Sequence, residues 1–531
     1  MDQKKVMDQK KPFYITTAIS YVNGSPHLGH AYEAILTDVV ARFKRLDGHE
    51  VFFLTGTDEH GEKVATTAEK NGMKPGDFCD KTSAEFIQMT KDLNISNDGF
   101  IRTTEARHYK AAQELWNKIR EKGDIYLGKY EGWYSVRDEA FFGEDELTDG
   151  DGGKKFAPSG AEVTWKEEPS YFFRLSAYTD KLLSYFKAHP EFIEPESRRN
   201  EVISFVSQEG GLKDLSVSRT SFDWGVPVPE DKDHIMYVWL DALTNYMTGV
   251  GYPDLESAAF KKFWPCDVHV IGKDITRFHT VFWPAFLMAA DIPLPGQIFA
   301  HGFINVEGQK MSKSVGNVIS PYDLVRDFGL DQTRYILMRE VSHGQDGNFS
   351  RDHAVARMNG DLANSLGNLA QRTLSMIHKN CDEKIPEPGL LQDADKILLE
   401  QAHVTVLAGL REYYDRFMIH RALEDIMKLA DEANIYIDHQ APWTLKKEGP
   451  ARMGTVLYVL AETIRCLALM MLPVTPESAA KMLDQLDIPE AERDFSFISD
   501  AHKLKSGTPI HKPEGIFPRI VEEEPVKKAT A

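Results

Sequence analysis

The feature that most constrains this chain lies near its N-terminus, where a strand signal, a tight turn, a helix signal and a second strand signal follow one another closely. Residues 13–19 (Phe-Tyr-Ile-Thr-Thr-Ala-Ile) form a short apolar, β-branched run, the pattern of a buried strand. The Asn-Gly and Ser-Pro pairs in residues 21–26 predict a sharp reversal. From about His27 to Leu46, Leu28, Ala31, Ile35, Val39 and Phe43 recur on one helical side. Val51–Thr55 reads as another strand, and a helix resumes near Lys63. This is the βαβ unit of a parallel, doubly wound α/β sheet.

The chain has 531 residues, too many for one core, and three or four domains of roughly 150 residues are expected. Between about 122 and 235 short aromatic strands such as 132–136 alternate with Gly- and Asp-rich loops, predicting an inserted, mostly antiparallel piece. The α/β pattern resumes at Ile235, with strands expected at Asp267–Ile271 and Gln297–Phe299. After about 355 the chain reads as helical up to about 485, followed by a tail rich in prolines and charges. No internal repeat has a fixed period, although MDQKK occurs twice within the first eleven residues.

No run of about 18 apolar residues is evident, so no membrane span is expected, and the polar first eleven residues lack the apolar core of a signal peptide. Cys79, Cys266, Cys381 and Cys466 lie far apart with no Cys-x-x-Cys pair. That argues against a disulfide framework and a thiolate zinc site, and fits a reducing cytoplasm. The net charge of −19 speaks against nucleic-acid binding, although a groove on an acidic protein can be locally basic.

Two constellations carry chemistry. His27-Leu28-Gly29-His30 stands where a strand passes through a turn into a helix. A helix N-terminus offers free N–H groups and a positive dipole end to a polyphosphate. Gly29 allows close approach of a ligand to the backbone, and the two imidazoles suit charge building on phosphate oxygens. Alone, such a tetrad is equally a pair of packed or solvated histidines. Lys310-Met311-Ser312-Lys313-Ser314 follows a glycine-containing turn and lies about 280 residues later. Two ammonium groups beside hydroxyls suit a clamp on a transferring phosphate, whereas an isolated Lys-x-x-Lys is more simply a solvated basic loop. The pair is far more specific than either member.

Together these residues resemble the paired HIGH and KMSKS signatures of class I aminoacyl-tRNA synthetases, and the resemblance covers essentially the whole chain. It implies a Rossmann-type catalytic domain in two halves, 12–121 and 236–305, split by a connective insert at 122–235 with a zinc-free knuckle. It further implies a KMSKS loop and stem-contact region at 306–360, and a helical anticodon-binding domain with its tail at 361–531. The implied reaction activates an amino acid with ATP, accompanied by Mg²⁺, and transfers it to tRNA. His27, His30, Lys310 and Lys313 are then expected to stabilise the α-phosphate transition state, so that catalysis is positioning plus electrostatics. Gly29, Glu33, Gly272 and Asp274 are the expected ATP-binding positions, Asp274 on the ribose and Glu33 near the adenine.

Residues 237–247 and 272–279 are similar to the methionine branch of the family, which implies methionine as the amino acid. Ile19, Tyr21, Trp239, Ala242, Leu243, Tyr246, Ile275 and His279 are expected to surround its thioether, and Asp58 to pair with its ammonium group. A polarizable thioether packs well on aromatic edges, and a buried carboxylate suits an amine; without the flanking motifs Trp239 and Tyr246 would simply be core aromatics. Leu243 stands where some bacterial relatives carry proline, which suggests a different subtype. The insert is small for the isoleucine, valine and leucine enzymes, and no separate editing domain is visible.

In the knuckle segment 133–141, Ser135 and Asp138 occupy the places of cysteines, so no structural zinc is expected and packing should hold the fold. The Asp149-Gly-Asp151-Gly loop lacks the remaining ligands of a calcium loop. Asn368, Arg372 and Trp443 match the family's anticodon-reading elements, Trp443 stacking on an unpaired base and the others bonding base edges. The implied partners are initiator and elongator tRNA(Met) with a CAU anticodon. Because the chain ends soon after the helical region, a monomer is expected. Competing readings are another class I synthetase (cysteine, leucine, isoleucine or valine), a His-x-Gly-His adenylyltransferase of small metabolites, and a synthetase-like tRNA-binding protein without activity.

Overall fold

The computed structural model describes residues 10–138, 140–310 and 318–521. The chain divides into two compact units, one of residues 12–37 and 51–302, the other of residues 1–11, 38–50 and 303–531.

The first unit is built on a parallel sheet. Strands β1 (Pro12–Thr17), β2 (Ser20–Tyr21), β3 (Glu50–Asp58) and β4 (Gly99–Arg102) come from the N-terminal stretch. A long antiparallel ribbon follows, β5 (Ile125–Ser135) against β6 (Glu162–Phe173), running from Ile125 opposite Phe173 to Tyr134 opposite Thr164. Strands β7 (Ile193–Glu194), β8 (Val268–Gly272) and β9 (Gln297–His301) return to the main sheet, whose order is β7-β9-β8-β1-β3, with β2 and β4 both on β3. The pairs β1–β8, β8–β9, β7–β9, β2–β3 and β3–β4 are parallel. Phe13–Thr17 and all five residues of β8 are buried, as befits strands covered on both faces. The chain fans out from central β1 in both directions, and in such sheets the crevice beyond the carboxyl ends of the strands at that switch point receives ligands.

Helices α1 (Leu28–Leu46), α2 (Glu62–Lys70), α3 (Pro75–Asp92), α4 (Ala106–Glu121), α5 (Thr179–Ala188), α6 (Glu196–Val206) and α7 (Val238–Thr248) complete the elements used below. The segment 122–235 is the β-rich, antiparallel insert expected from sequence, with helices added that the sequence reading did not mark. It contains α5 and α6, and between them β7 lies along β9 as the edge of the main sheet. A two-residue strand has no periodicity to read, so this return was invisible in the sequence.

In the second unit, α8 (Leu330–Glu340), α9 (Asn368–Asn380), α10 (Ile419–Gln440), α11 (Pro442–Glu448) and α12 (Pro450–Met471) form a helical bundle. Helix α12 is long and apolar enough to cross a membrane by length and composition alone. It is buried throughout Met453–Met471, as the core helix of the bundle. Its Glu462 and Arg465 interrupt the apolar run, yet they lie 2.6 Å apart and satisfy each other inside. Residues Asp38–Leu46 of α1 belong to this unit. Phe43 stacks on Tyr414 with centroids 3.8 Å apart, and Asp38 meets Arg334 at 2.6 Å, both side chains fully buried.

Candidate active site

The signature tetrad opens α1. No acidic residue occupies its first turn, while Lys44 and Arg45 sit in its last, so the N-terminal end is left to an anion. The two rings stack, with centroids 3.8 Å apart and planes at 28°. The Gly29 N–H donates to His27 Nδ1 at 3.0 Å, and the His27 N–H donates to His30 Nδ1 at 3.2 Å. Each Nδ1 is thereby an acceptor, which puts the proton of each neutral ring on Nε2. Burial, followed by the neighbouring His27, pushes the His30 pKa down to about 3. The tetrad therefore presents Nε2–H donors, His30 as a neutral one. Gly29 has a steric reason: a Cβ there would stand 2.9 Å from His27 Cε1.

Beyond the ends of β8 and β9 lies a second group. Gly272 pairs with His301, and a Cβ on Gly272 would meet Asp274 Oδ1 at 2.7 Å, so any larger residue would displace the Asp274 carboxylate. Glu33, one turn past His30 on α1, meets His301 Nε2 at 2.9 Å, and His301 Nδ1 bonds the Gly302 carbonyl at 2.8 Å. Burial raises the Glu33 carboxyl above its ordinary value. Burial works against charge on His301 too, but the facing Glu33 carboxylate outweighs it and lifts the imidazole. The pair thus holds a proton inside the crevice. Asp274 is exposed, and its charge reaches both partners. A small, partly open cleft is lined by His30, Glu33, Thr17, Ser20, Thr55 and Phe86. The sequence reading placed Glu33 but missed His301, whose one signal is its position at the end of a strand.

The proposed amino-acid pocket is assembled from three places. Ile19 and Tyr21 follow β1, and Tyr21 lies directly opposite Asp58, the buried last residue of β3. Helix α7 supplies Trp239, Ala242, Leu243 and Tyr246, and residues 273–282 supply Ile275 and His279. Trp239 stacks on Phe278 at 3.7 Å with planes only 6° apart. The Tyr246 hydroxyl meets His279 Nε2 at 2.7 Å, and His279 Nδ1 bonds the Ile275 carbonyl at 3.0 Å. Burial lowers the His279 pKa to about 4, so a neutral ring donates through Nδ1 and accepts the tyrosine proton through Nε2. The protons of the hydroxyl and the imidazole are thus committed to Nε2 and to a carbonyl.

Lys310 closes a two-residue strand, its backbone opposite Asn305 across a turn in which Glu307 and Gly308 both have positive φ. That is the signature of a type I′ hairpin. The Lys310 side chain and residues 311–317, Lys313 among them, lie outside the described residues.

In the insert, Ser135 Oγ donates to Asp138 Oδ2 at 2.8 Å and accepts the Asp138 N–H at 3.1 Å, while Ser159 donates to the same carboxylate. The knuckle is tied by hydrogen bonds, not by packing alone as expected. A hydroxyl and a carboxylate engaged with each other do not fit a thiolate zinc centre. Among the described residues, His403, Glu462 and Cys466 lie close enough to hold a metal. There the Arg465 guanidinium already occupies the cation's place on Glu462, and burial pushes the Cys466 thiol far up.

In the helical unit, Asn368 and Arg372 sit one turn apart on α9, above a face on which Leu362, Leu366, Leu369 and Ile377 are fully buried. Arg372 pairs with Asp438 at 2.6 Å, and its guanidinium stands 5.5 Å from the Trp443 ring. Trp443 is 47% exposed, a large share for so big an apolar ring. It is presented by a sharp junction in which Ala441 takes a left-handed φ of 44° and Pro442 starts α11. Asp438 was not foreseen from the sequence.

The parallel sheet, the tetrad at its switch point and the separate helical unit define the class, and comparison with known proteins agrees. A family model described as class I tRNA synthetases (M) matches residues 13–151 and 154–374, and one for the anticodon binding domain of methionyl tRNA ligase matches 385–530. The methionine–tRNA ligase of Rhizobium meliloti is 55% identical over 518 residues, covering 98% of this chain and all of that protein. That of Mycobacterium bovis is 55% identical over 519 residues, covering 97% and 99%. The Mycobacterium tuberculosis methionyl-tRNA synthetase in complex with methionyl-adenylate superposes with a TM-score of 0.93 at 55% identity, covering 96% of this chain and 100% of that one. The chain belongs to the methionyl-tRNA synthetase family of class I aminoacyl-tRNA synthetases.

Proposed function

We infer that the chain is a methionine–tRNA ligase. It activates L-methionine with ATP to methionyl-adenylate and pyrophosphate, then transfers the methionyl group to the 3′-terminal ribose of tRNA(Met). The observation that carries this reading is the stacked His27–His30 pair at the head of α1, each Nδ1 accepting a backbone N–H so that the neutral ring carries its proton on Nε2. The near-full-length likeness to methionine–tRNA ligases supports it.

In the first step the methionine carboxylate attacks the α-phosphorus of ATP and the bond to pyrophosphate breaks. Charge grows on the equatorial phosphate oxygens, and fixed N–H donors aimed there need no reorganisation. His27 and His30 supply these donors, with Lys310 and Lys313 as the cationic partners. Gly29 and Gly272 give the nucleotide close access to the backbone, Asp274 takes the ribose hydroxyls, and Glu33, with the proton it shares with His301, faces the base. Mg²⁺ enters with ATP as part of the substrate.

Asp58 takes the methionine ammonium. Ile19, Tyr21, Trp239, Ala242, Leu243, Tyr246, Ile275 and His279 enclose the side chain. Trp443 stacks on an anticodon base, and Asn368 and Arg372 bond base edges. In that step Arg372 exchanges Asp438 for nucleic acid. The reading further takes the protein as a cytoplasmic monomer that serves initiator and elongator tRNA alike. ATP–pyrophosphate exchange with each of the twenty amino acids, without tRNA, tests the activation step. Exchange driven by methionine far above the rest is expected. Strong exchange with another amino acid overturns the pocket assignment, and none at all overturns the activity.

A further inference from the structure

Three residues after the start of α7, between the residues assigned to the methionine wall, the helix carries a carboxylate enclosed by two histidines. Asp241 is fully buried. Its Oδ2 meets His60 Nδ1 at 2.6 Å and its Oδ1 meets His108 Nε2 at 2.7 Å. The far nitrogens are engaged as well: His60 Nε2 with the Tyr109 hydroxyl at 2.9 Å, His108 Nδ1 with the Thr248 hydroxyl at 3.1 Å. The Thr248 hydroxyl donates to the Thr244 carbonyl at 3.1 Å, and each imidazole gives its other N–H to Asp241. Every polar atom of the cluster is then satisfied around one anion, and the two histidines hold the Asp241 carboxyl down at about 2 against the effect of burial.

The placement of the cluster gives it meaning. On a helical wheel Trp239, Ala242, Leu243 and Tyr246 share one face of α7, while Asp241 and Thr248 point about 180° away. His60 stands two residues beyond Asp58 in the turn that ends β3. The intervening Glu59 is locked from the other side. Its carboxylate receives Arg102 at 2.7 and 3.0 Å, and its carbonyl accepts the Trp224 indole N–H at 2.6 Å. If packing alone were required, an apolar residue would join α7 to this turn at less desolvation cost than a buried carboxylate.

We propose that Asp241 is a positioning residue for amino-acid binding: through His60 it fixes the turn carrying Asp58 to the helix carrying Trp239 and Tyr246, while His108, on α4, holds its other oxygen. The partner of the substrate's ammonium and the wall for its side chain are thus held at one spacing. The inference rests on the reading above, in which Asp58 and α7 bind methionine.

The test is pyrophosphate exchange by the full chain, reading KM separately for methionine and for ATP. In Asp241→Asn the amide offers one acceptor where two N–H groups need one each. KM for methionine should rise roughly 10- to 100-fold, the equivalent of one charge-assisted hydrogen bond, while KM for ATP stays close to its original value. His60→Leu should act in the same direction, and His60→Asn, whose amide nitrogen stands near the place of Nδ1, should restore tight methionine binding. An Asp241→Asn protein with the original KM for methionine overturns the proposal, and so does a parallel rise in both KM values. If Asp241→Asn does not fold, the His60 pair decides: equal methionine KM in the Leu and Asn variants overturns it. Absence of methionine-dependent exchange in the unaltered chain would instead overturn the functional reading beneath it.

Discussion

His30 offers a sharp test of the phosphate end of the site, because the structure fixes both its tautomer and its charge. Its Nδ1 accepts the His27 N–H, so Nε2 carries the proton, and with a pKa of about 3 the ring stays neutral. His30→Gln keeps an N–H near the Nε2 position. His30→Asn places its amide near Nδ1, facing the His27 N–H, and leaves Nε2's place empty. Losing one preorganised donor to a developing oxyanion costs about 2.7–4 kcal/mol, or roughly 10²–10³ in kcat. His30→Asn should lose that much in pyrophosphate exchange, His30→Gln distinctly less, and KM for methionine should hold in both. Because the donor is neutral, the ratio of unaltered to His30→Gln rates should stay constant between about pH 8 and 5.5. A ratio that changes with a midpoint near 6.5, the ordinary imidazole value, would refute the neutral-donor argument. Equal losses in the two variants would refute the tautomer assignment.

Other predictions follow from the same structure. Trp443→Ala should raise KM for tRNA by the equivalent of about 1–3 kcal/mol, with tRNA-independent exchange untouched; an unchanged tRNA KM would count against the stacking role. Arg334→Met removes the partner that meets Asp38 at 2.6 Å in full burial, and should destabilise the helical unit by about 3–5 kcal/mol in denaturant titration; a loss below about 1 kcal/mol would show that Arg42 suffices for Asp38. His30, His279 and His269 are held below their ordinary pKa by burial, so below about pH 6.5 the unfolded chain takes up protons that the folded chain refuses. Stability should therefore fall as pH drops from about 7 to 5.5, each such histidine contributing up to about 1.4 kcal/mol per pH unit. His301, with its raised pKa, acts in the opposite sense but at and above about pH 6.5, where the folded chain binds its proton first. A melting temperature that rises on acidification would contradict this balance.

The sequence showed most plainly what is local. The strand–turn–helix that presents His27 and His30 was legible because its apolar spacing changes at the turn, and α7 was legible because Trp239 and Tyr246 lie seven residues apart. What escaped notice depends on pairs far apart in the chain. Glu33 and His301 are 268 positions apart, Asp241 and His60 181, Arg372 and Asp438 66, and no local pattern links them. The edge strand Ile193–Glu194 was missed for the opposite reason, being too short to carry a period. The five segments read from sequence also differ from the two compact units, which break after Gly302 and assign residues 38–50 to the helical unit. That assignment is made by tertiary contacts such as Phe43 on Tyr414, because one continuous helix gives no sign of where its packing partners change.

The most direct measurement of the central claim is esterification of labelled methionine to tRNA transcripts that differ only in the anticodon. The account predicts rapid charging of initiator and elongator transcripts bearing CAU, and loss of charging when that anticodon is replaced. Failure to charge the CAU transcripts, or indifference to the anticodon, would contradict it.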